Sequence, residues 1–317
     1  MKYIADGSVI TNRLIFTDGR VIEDIMGGSG MYAFAALRQC TPDSMLLSGV
    51  GEDFEKYYGE WFNRNNCTRD GLYVRSDKTI YNELVYDPEG KYIEYSIYGD
   101  EYEFYNIPEM IMSAKDYEPF ISEVKGISRS SGIDEEFEKG MLEYKKKYDF
   151  KLMWEIPESQ VDSLGESFRH GGMDEVKERL KIVDIFSCNK PESYRIFGTD
   201  NVEDSVKMLK QLDRPVYFRV GSAGACMIDE GKEYFVPMIS SVPREQEIDP
   251  TGCGNSSTAA TMWAYCEGYD PLMCCIIGNV IASYNVRQYG PYPDMSEKTQ
   301  KETLELAQTI YKKMTQG

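Results

Sequence analysis

Ile182-Val183-Asp184-Ile185-Phe186-Ser187-Cys188-Asn189-Lys190-Pro191-Glu192 carries the reading of the fold. Its first half is a short apolar run rich in β-branched and aromatic residues, which suits a strand buried on both faces. Asn189 then stands where a helix cap would, and Pro191 suits a first helical turn, where an N–H would lack a partner anyway. A buried strand passing straight into a capped helix is the repeating unit of a parallel α/β sheet.

Working outward from this unit, the same alternation recurs. Core strands are expected at Lys2–Ile10, Met45–Val50, Lys151–Trp154 and Pro215–Val220, beside the one at Ile182–Phe186. Helices are expected at Met31–Gln39, Phe54–Asn65, Asp174–Leu180, Val202–Gln211, Ser256–Cys266 and Leu272–Tyr289. This order implies an α/β fold with a mainly parallel sheet covered on both faces. No internal repeat or low-complexity linker marks a domain boundary, and 317 residues suffice for one large α/β domain or two medium ones.

One stretch interrupts the alternation. Thr79–Tyr86 and Lys91–Tyr98 are β-rich runs flanking Asp87-Pro88-Glu89-Gly90, whose Pro and Gly positions fit a type I turn. In the second arm Ile93, Tyr95 and Ile97 alternate with more polar residues, as expected if one face covers something. Arg13–Ile25, with Asp18-Gly19 at its middle, reads as a second hairpin. An ordinary edge hairpin would give the same pattern.

Composition narrows the classes of partner. With 53 acidic against 35 basic residues, the formal net charge is −18. Such a chain repels nucleic acid and anionic membranes, so any phosphorylated ligand must be held by a local site. No apolar run of roughly 18 residues and no basic-then-apolar leader is readable. Eight Cys without a CxxC pair, and a single His at 170, supply a zinc site or a His-based triad poorly. Reduced thiols in a cytoplasmic protein are the expectation.

Three segments could carry chemistry. Asp249-Pro250-Thr251-Gly252-Cys253-Gly254-Asn255 is a polar glycine loop running into the small-residue helix of Ser256-Ser257-Thr258-Ala259-Ala260. Backbone N–H groups at such a helix start bind anions, and glycines let a phosphate come close; a plain glycine turn capping a helix is equally compatible. The loop lacks the Lys of a Walker-type loop and the following acid of a dinucleotide fingerprint. Second, Glu192 projects beyond the carboxyl end of its strand, where open α/β sheets bind ligands, although Asn capping and a Glu near a helix dipole explain it without function. Third, Arg219 ends an apolar strand just before Gly221-Ser222-Ala223-Gly224, well placed to reach a phosphate or to pair with one of the many acids.

In this order the segments resemble the ribokinase-like, or PfkB, carbohydrate kinase family over nearly the whole chain. Gly27-Gly28-Ser29-Gly30 resembles the family's substrate-binding Gly-Gly motif, and Gly49-Val50-Gly51-Glu52-Asp53 its G-x-D strand end. Asn189-Lys190-Pro191-Glu192 is similar to N-x-x-E, linked to magnesium and phosphate, and Gly221 to Gly224 to the turn near ATP. Asp249 to Asn255 resembles D-T-x-G-A-G-D, and Asn279 with Ser283 the helix beside the adenine. The resemblance implies a ribokinase-like three-layer sandwich over 1–317, with a small β lid inserted from about 13–25 and 73–105. It implies ATP and Mg²⁺ as cofactors, with Asn189, Glu192, Arg219, Gly221, Gly224, Asn279 and Ser283 on the nucleotide side and Glu192 and Asp249 toward the metal. It further implies a sugar or nucleoside-like acceptor near Asn12, Gly27, Gly28 and Tyr32, catalysis around Asp249, Gly252, Cys253, Gly254 and Asn255, and a homodimer through the lid.

The departures cluster on the acceptor side. Asn255 stands where the family has the Asp that takes the acceptor's proton, and an amide cannot do so at neutral pH. Asn12 stands for the early substrate-binding Asp, and Tyr32 for the Asn after the Gly-Gly motif. Some relatives resemble this chain in carrying D-P-T-G-x-G-N, the Trp154-Glu155 pair and an Arg like Arg219. A general base contributes roughly 10²–10⁴-fold, so its loss is compatible either with a weakened kinase or with a non-catalytic nucleotide or sugar binder. Restoring Asp at 255 is expected to raise activity if the acceptor site is otherwise competent.

Overall fold

The computed structural model describes residues 1–316. Its strands are β1 (Tyr3–Asp6), β2 (Ile10–Ile15), β3 (Val21–Gly27), β4 (Ser44–Gly51), β5 (Leu72–Ser76), β6 (Ile80–Tyr86) and β7 (Tyr92–Ser96), followed by β8 (Gly126–Arg129), β9 (Lys151–Glu155), β10 (Ile185–Asn189), β11 (Val216–Arg219), β12 (Gly224–Asp229) and β13 (Lys232–Pro237). The helices are α1 (Ser29–Cys40), α2 (Phe54–Arg64), α3 (Asp100–Met110), α4 (Glu135–Lys145), α5 (Glu158–Arg179), α6 (Lys190–Phe197), α7 (Val202–Leu209), α8 (Cys253–Cys266), α9 (Pro271–Asn285) and α10 (Glu297–Gln316).

Nine strands form one sheet in the order β13-β12-β11-β10-β9-β8-β1-β4-β5. Pairing is parallel from β5 through to β11, and the β11–β12 and β12–β13 pairs are antiparallel. Side chains alternate across it as the pleat requires. Tyr3 and Ala5 of β1 join one apolar cluster, with α1, α8 and α9, while Ile4 joins another, with α4, α5 and α6. Both faces are therefore covered, and all eight residues of β4 are buried. This is the three-layer α/β sandwich expected.

A separate four-stranded sheet, β3-β2-β6-β7, forms the lid. Its hairpins follow from their turn residues. The Gly90 N–H donates to the Asp87 carbonyl at 3.1 Å, and Gly90 takes the left-handed conformation at φ 79°. The β2–β3 turn closes likewise with the Gly19 N–H on the Phe16 carbonyl at 3.0 Å.

Several boundaries differ from the sequence reading. The expected strand Lys2–Ile10 is divided. β1 stops at Asp6, Gly7 lies against the start of α1, and Ile10 opens lid strand β2, parallel to β6. Leu72–Ser76, inside the lid boundary expected at 73, is instead the parallel neighbour of β4. The helix expected at Asp174–Leu180 is the last part of α5, which is broken at Gly172, and the one expected to reach Tyr289 stops at Asn285. The arm Ile93, Tyr95, Ile97, expected to cover something, is exposed, because β7 is the lid's edge; Ile80, Asn82 and Leu84 of β6 are the buried ones.

Candidate active site

Three adjacent parallel strands end together. In register, Ser187 of β10 pairs with Glu155 of β9, and Asn189 of β10 with Arg219 of β11. At the β10–α6 junction the Asn189 side chain accepts from the Glu192 N–H at 2.9 Å, while Glu192 Oε2 accepts from the Asn189 N–H at 2.6 Å. This reciprocal cap satisfies two backbone donors and fixes the Glu192 carboxylate at the strand end. Burial pushes the Glu192 carboxyl above the ordinary range; Arg219 opposes that shift, and Glu155 adds to it.

Arg219 lies between the two acids. Its Nη1 is 2.6 Å from Glu155 Oε1 and its Nη2 is 3.5 Å from Glu192 Oε2. Burial works against its charge, but Glu155 first and Glu192 second outweigh burial and raise its pKa. Its Nε is buried with no acceptor among the described residues. The guanidinium is thus paired with two acids, as one of the two readings of the sequence expects, and its Nε donor remains unspent.

Above these strand ends sits the loop into α8. Gly252 caps the helix in the left-handed conformation, φ 77° and ψ −4°. A Cβ there would run into the Tyr32 ring, so both the backbone and the packing demand glycine. At Gly254 a Cβ would meet the Arg219 guanidinium. The Cys253 N–H already donates to the Pro250 carbonyl at 3.1 Å. Among the described residues, the Gly254 and Asn255 N–H groups have no acceptor, leaving these two open at the helix start. Burial pushes the Cys253 thiol up to about 11, so it is no nucleophile at neutral pH.

Asn255 Nδ2 donates to Glu155 Oε2 at 3.0 Å. Glu155 is therefore a site residue that the sequence reading left out of its candidates. The signal available was an acid directly ending the apolar strand of Lys151–Trp154.

The expected nucleotide-side residues are brought together. Asn189, Arg219, Gly221, Gly224, Asn279 and Ser283 all line one cleft of about 520 Å³, and Cys253 and Gly254 reach it as well. Glu192 stands just behind it, held by Asn189 and Arg219. In α9, Asn279 Nδ2 and the Ser283 hydroxyl donate to carbonyls of their own helix.

The acceptor-side residues gather on the other side of the loop. Asn12, in β2, lies against Gly27 at the end of β3, and Gly28 precedes α1 with φ 92°. Tyr32 is 4 % exposed beneath Gly252, and burial followed by the Asp249 charge pushes its phenol up. Burial raises the pKa of Tyr86 and Tyr92 of the lid, with Asp249 adding at Tyr86 and Glu94 followed by Asp249 at Tyr92. Phe16 stacks on Tyr86 with ring centres 5.0 Å apart, and the buried Tyr86 hydroxyl has no partner among the described residues. Asp249 Oδ1 accepts from the Thr251 N–H at 3.0 Å, while Glu192 faces Arg219. Among the described residues, no three or more His, Cys, Asp or Glu side chains converge as a metal cage.

The description "pfkB family carbohydrate kinase" matches residues 18–298. The chain belongs to that family. Among similar proteins is a nucleoside kinase of Methanocaldococcus jannaschii, 25 % identical over 83 % of this chain and 80 % of that protein. A cytidine kinase of Thermococcus kodakarensis is 24 % identical over 92 % of this chain and 98 % of that one. The structure of Arabidopsis thaliana ribokinase complexed with ribose and ATP shares the fold at TM-score 0.70 and 20 % identity, covering 96 % of this chain and 97 % of that one. The cleft lies at the carboxyl ends of parallel strands, where α/β sheets bind ligands.

Proposed function

We propose that this chain is an ATP-dependent phosphotransferase acting on a hydroxyl of a sugar or nucleoside-like small molecule. The observation that carries this is the pair of N–H groups at Gly254 and Asn255 that lack an acceptor among the described residues, with Gly254 against the Arg219 guanidinium and both Gly254 and Arg219 lining a 520 Å³ cleft. Free N–H groups at a helix start beside a guanidinium suit an anion with several oxygens, as a transferring phosphoryl group has. Transfer through a loose transition state relies chiefly on such positioning and charge.

In this reading ATP occupies the cleft lined by Asn189, Arg219, Gly221, Gly224, Asn279 and Ser283. Mg²⁺ arrives with the phosphates and takes few protein ligands, so a closed cage is not needed; Glu192 and Asp249 are the carboxylates toward it. Asn12, Gly27, Gly28, Tyr32 and the lid aromatics bound that pocket. Asn255 directs the acceptor hydroxyl through its side-chain carbonyl.

The protein is proposed to work in the cytoplasm, in keeping with eight free cysteines; no helix among the described residues is long and apolar enough to cross a membrane. It is proposed to pair with a second copy through the lid, where Ile93 is 63 % and Tyr95 53 % exposed, an unusual amount of bare apolar surface.

Thermal shift with Mg²⁺–ATP, followed by ADP release against a panel of sugars and nucleosides, tests the activity. Saturation at a hundred times Kd stabilises by about 2.7 kcal/mol, and acceptor-dependent ADP release completes the case. Stabilisation without turnover supports the alternative of a binding protein that has kept the fold, a reading that the amide at 255 favours. No response to ATP would remove the nucleotide assignment altogether.

A further inference from the structure

Glu155 ends β9 with 6 % of its surface exposed and both carboxylate oxygens engaged, Oε1 with Arg219 at 2.6 Å and Oε2 with Asn255 Nδ2 at 3.0 Å. A carboxylate has no proton to give at neutral pH, so only the NH₂ end of Asn255 can face it. The orientation of that amide is thereby set by chemistry. Its Oδ1 must turn the other way, and it accepts no hydrogen bond from the described residues. A free carbonyl oxygen is thus presented beside the open N–H groups of Gly254 and Asn255.

The same geometry explains why position 255 carries an amide. An Asp there would oppose the Glu155 carboxylate at about the same 3.0 Å, and two carboxylates at that range cannot both stay ionised. Glu155 is not free to act as the base, since each of its oxygens is already bonded.

We infer that Glu155 is a positioning residue of the phosphotransfer site: it locks Asn255 with Oδ1 toward the acceptor hydroxyl and anchors Arg219 at the mouth of the anion-binding loop. This rests on the phosphotransferase reading. It places the charge that governs position 255 on a strand end a hundred residues away in sequence.

The test is a cycle of Glu155→Gln, Asn255→Asp and the double variant, each measured two ways. First, melting temperature is followed from about pH 5 to 8 without nucleotide, the range in which a coupled carboxylate pair takes up its shared proton. Asn255→Asp alone should be destabilised at the alkaline end and recover as the pH falls and the pair is protonated. The double variant, with one acid again facing one amide, should lose this pH dependence and keep only the pH-independent cost of removing Arg219's partner at 155. Second, turnover is measured with the acceptor that supports ADP release. Glu155→Gln lets the amide reverse, and should lower kcat about 10²-fold with the KM for ATP changed less than kcat.

A single Asn255→Asp variant as stable as the native protein at every pH would overturn the pairing. Coupling in stability with kcat unchanged in Glu155→Gln would overturn the positioning role and leave a structural contact. A native protein without turnover would defeat the phosphotransferase reading by itself, and it is recognisable because the pH-dependent coupling needs no catalysis.

Discussion

Gly252→Ala isolates the contact on which the loop's shape depends. Two costs add at this position. A non-glycine residue in the left-handed region loses roughly 1–2 kcal/mol. The new Cβ must also displace the Tyr32 ring, which is 4 % exposed and has nowhere to go, and overpacking of this kind costs about 1–3 kcal/mol. The sum is about 2–5 kcal/mol. With an unfolding entropy of roughly 2.1 cal/mol/K per residue over 317 residues, melting should fall by about 3–7 °C. Gly19→Ala is the matched control, because Gly19 is also left-handed, at φ 83°, with nothing near its Cβ position. It should lose only the backbone part. Differential scanning calorimetry of both variants, and of Gly252→Ala combined with Tyr32→Ala, resolves the two contributions. If Gly252→Ala melts no lower than Gly19→Ala, or if removing the ring brings no recovery in the pairwise coupling, the packing argument is wrong.

Gly254→Ala should act through Arg219, since its Cβ meets the guanidinium that Glu155 and Glu192 hold; melting should fall as that buried pairing is displaced, and the stabilisation gained from Mg²⁺–ATP should fall markedly in the same thermal-shift assay. Glu192→Gln tests the buried acid at the α6 cap. Its carboxyl pKa is raised by burial above the ordinary 4.5, so Glu192 favours the fold below that unfolded value and loses the contribution as pH rises through the folded value. Without nucleotide, the Glu192→Gln protein should therefore match the native one at about pH 4 and melt higher at about pH 7.5, yet lose Mg²⁺-dependent ATP binding; equal melting at both pH values would remove the argument. Arg129→Met breaks the ion pair with Asp6, whose partners are each 1 % exposed. It should cost about 3–5 kcal/mol by leaving an uncompensated buried carboxylate, read as a shift in the urea midpoint, while Asp6→Asn with Arg129→Met should recover part of the loss.

Much of the architecture is legible because its signals are local. Ile182 to Glu192 announces a buried strand and a capped helix through residues that touch one another within a few positions. The turns at Asp87–Gly90 and Asp18–Gly19 follow from the φ that their glycines permit. The loop from Asp249 to Asn255 gives away a helix start by its glycines, and Gly252 caps α8. The break after Asp6 is not legible in this way. Val9 and Ile10 carry the same apolar signal as Tyr3 and Ile4, and what divides them is Gly7 packed on α1, with Asp6 held by Arg129 and Tyr117 from distant segments. The exposure of β7 is likewise hidden, since alternation reports a possible buried face but not whether anything lies against it.

The candidate site divides along the same line. Residue types and spacing single out the glycine loop, the Asn189–Glu192 segment and Arg219 as candidates, because helix capping and strand ends are properties of contiguous chain, and the family resemblance marks position 255 as altered. They do not identify Glu155 as the partner of Asn255, nor show that Arg219 is shared between two acids. Those contacts exist because β9, β10 and β11 are neighbours in the sheet and finish at one level beneath α8. Sheet order and register are set by how the whole chain buries its apolar surface, so side chains a hundred positions apart meet at a distance that no local pattern encodes.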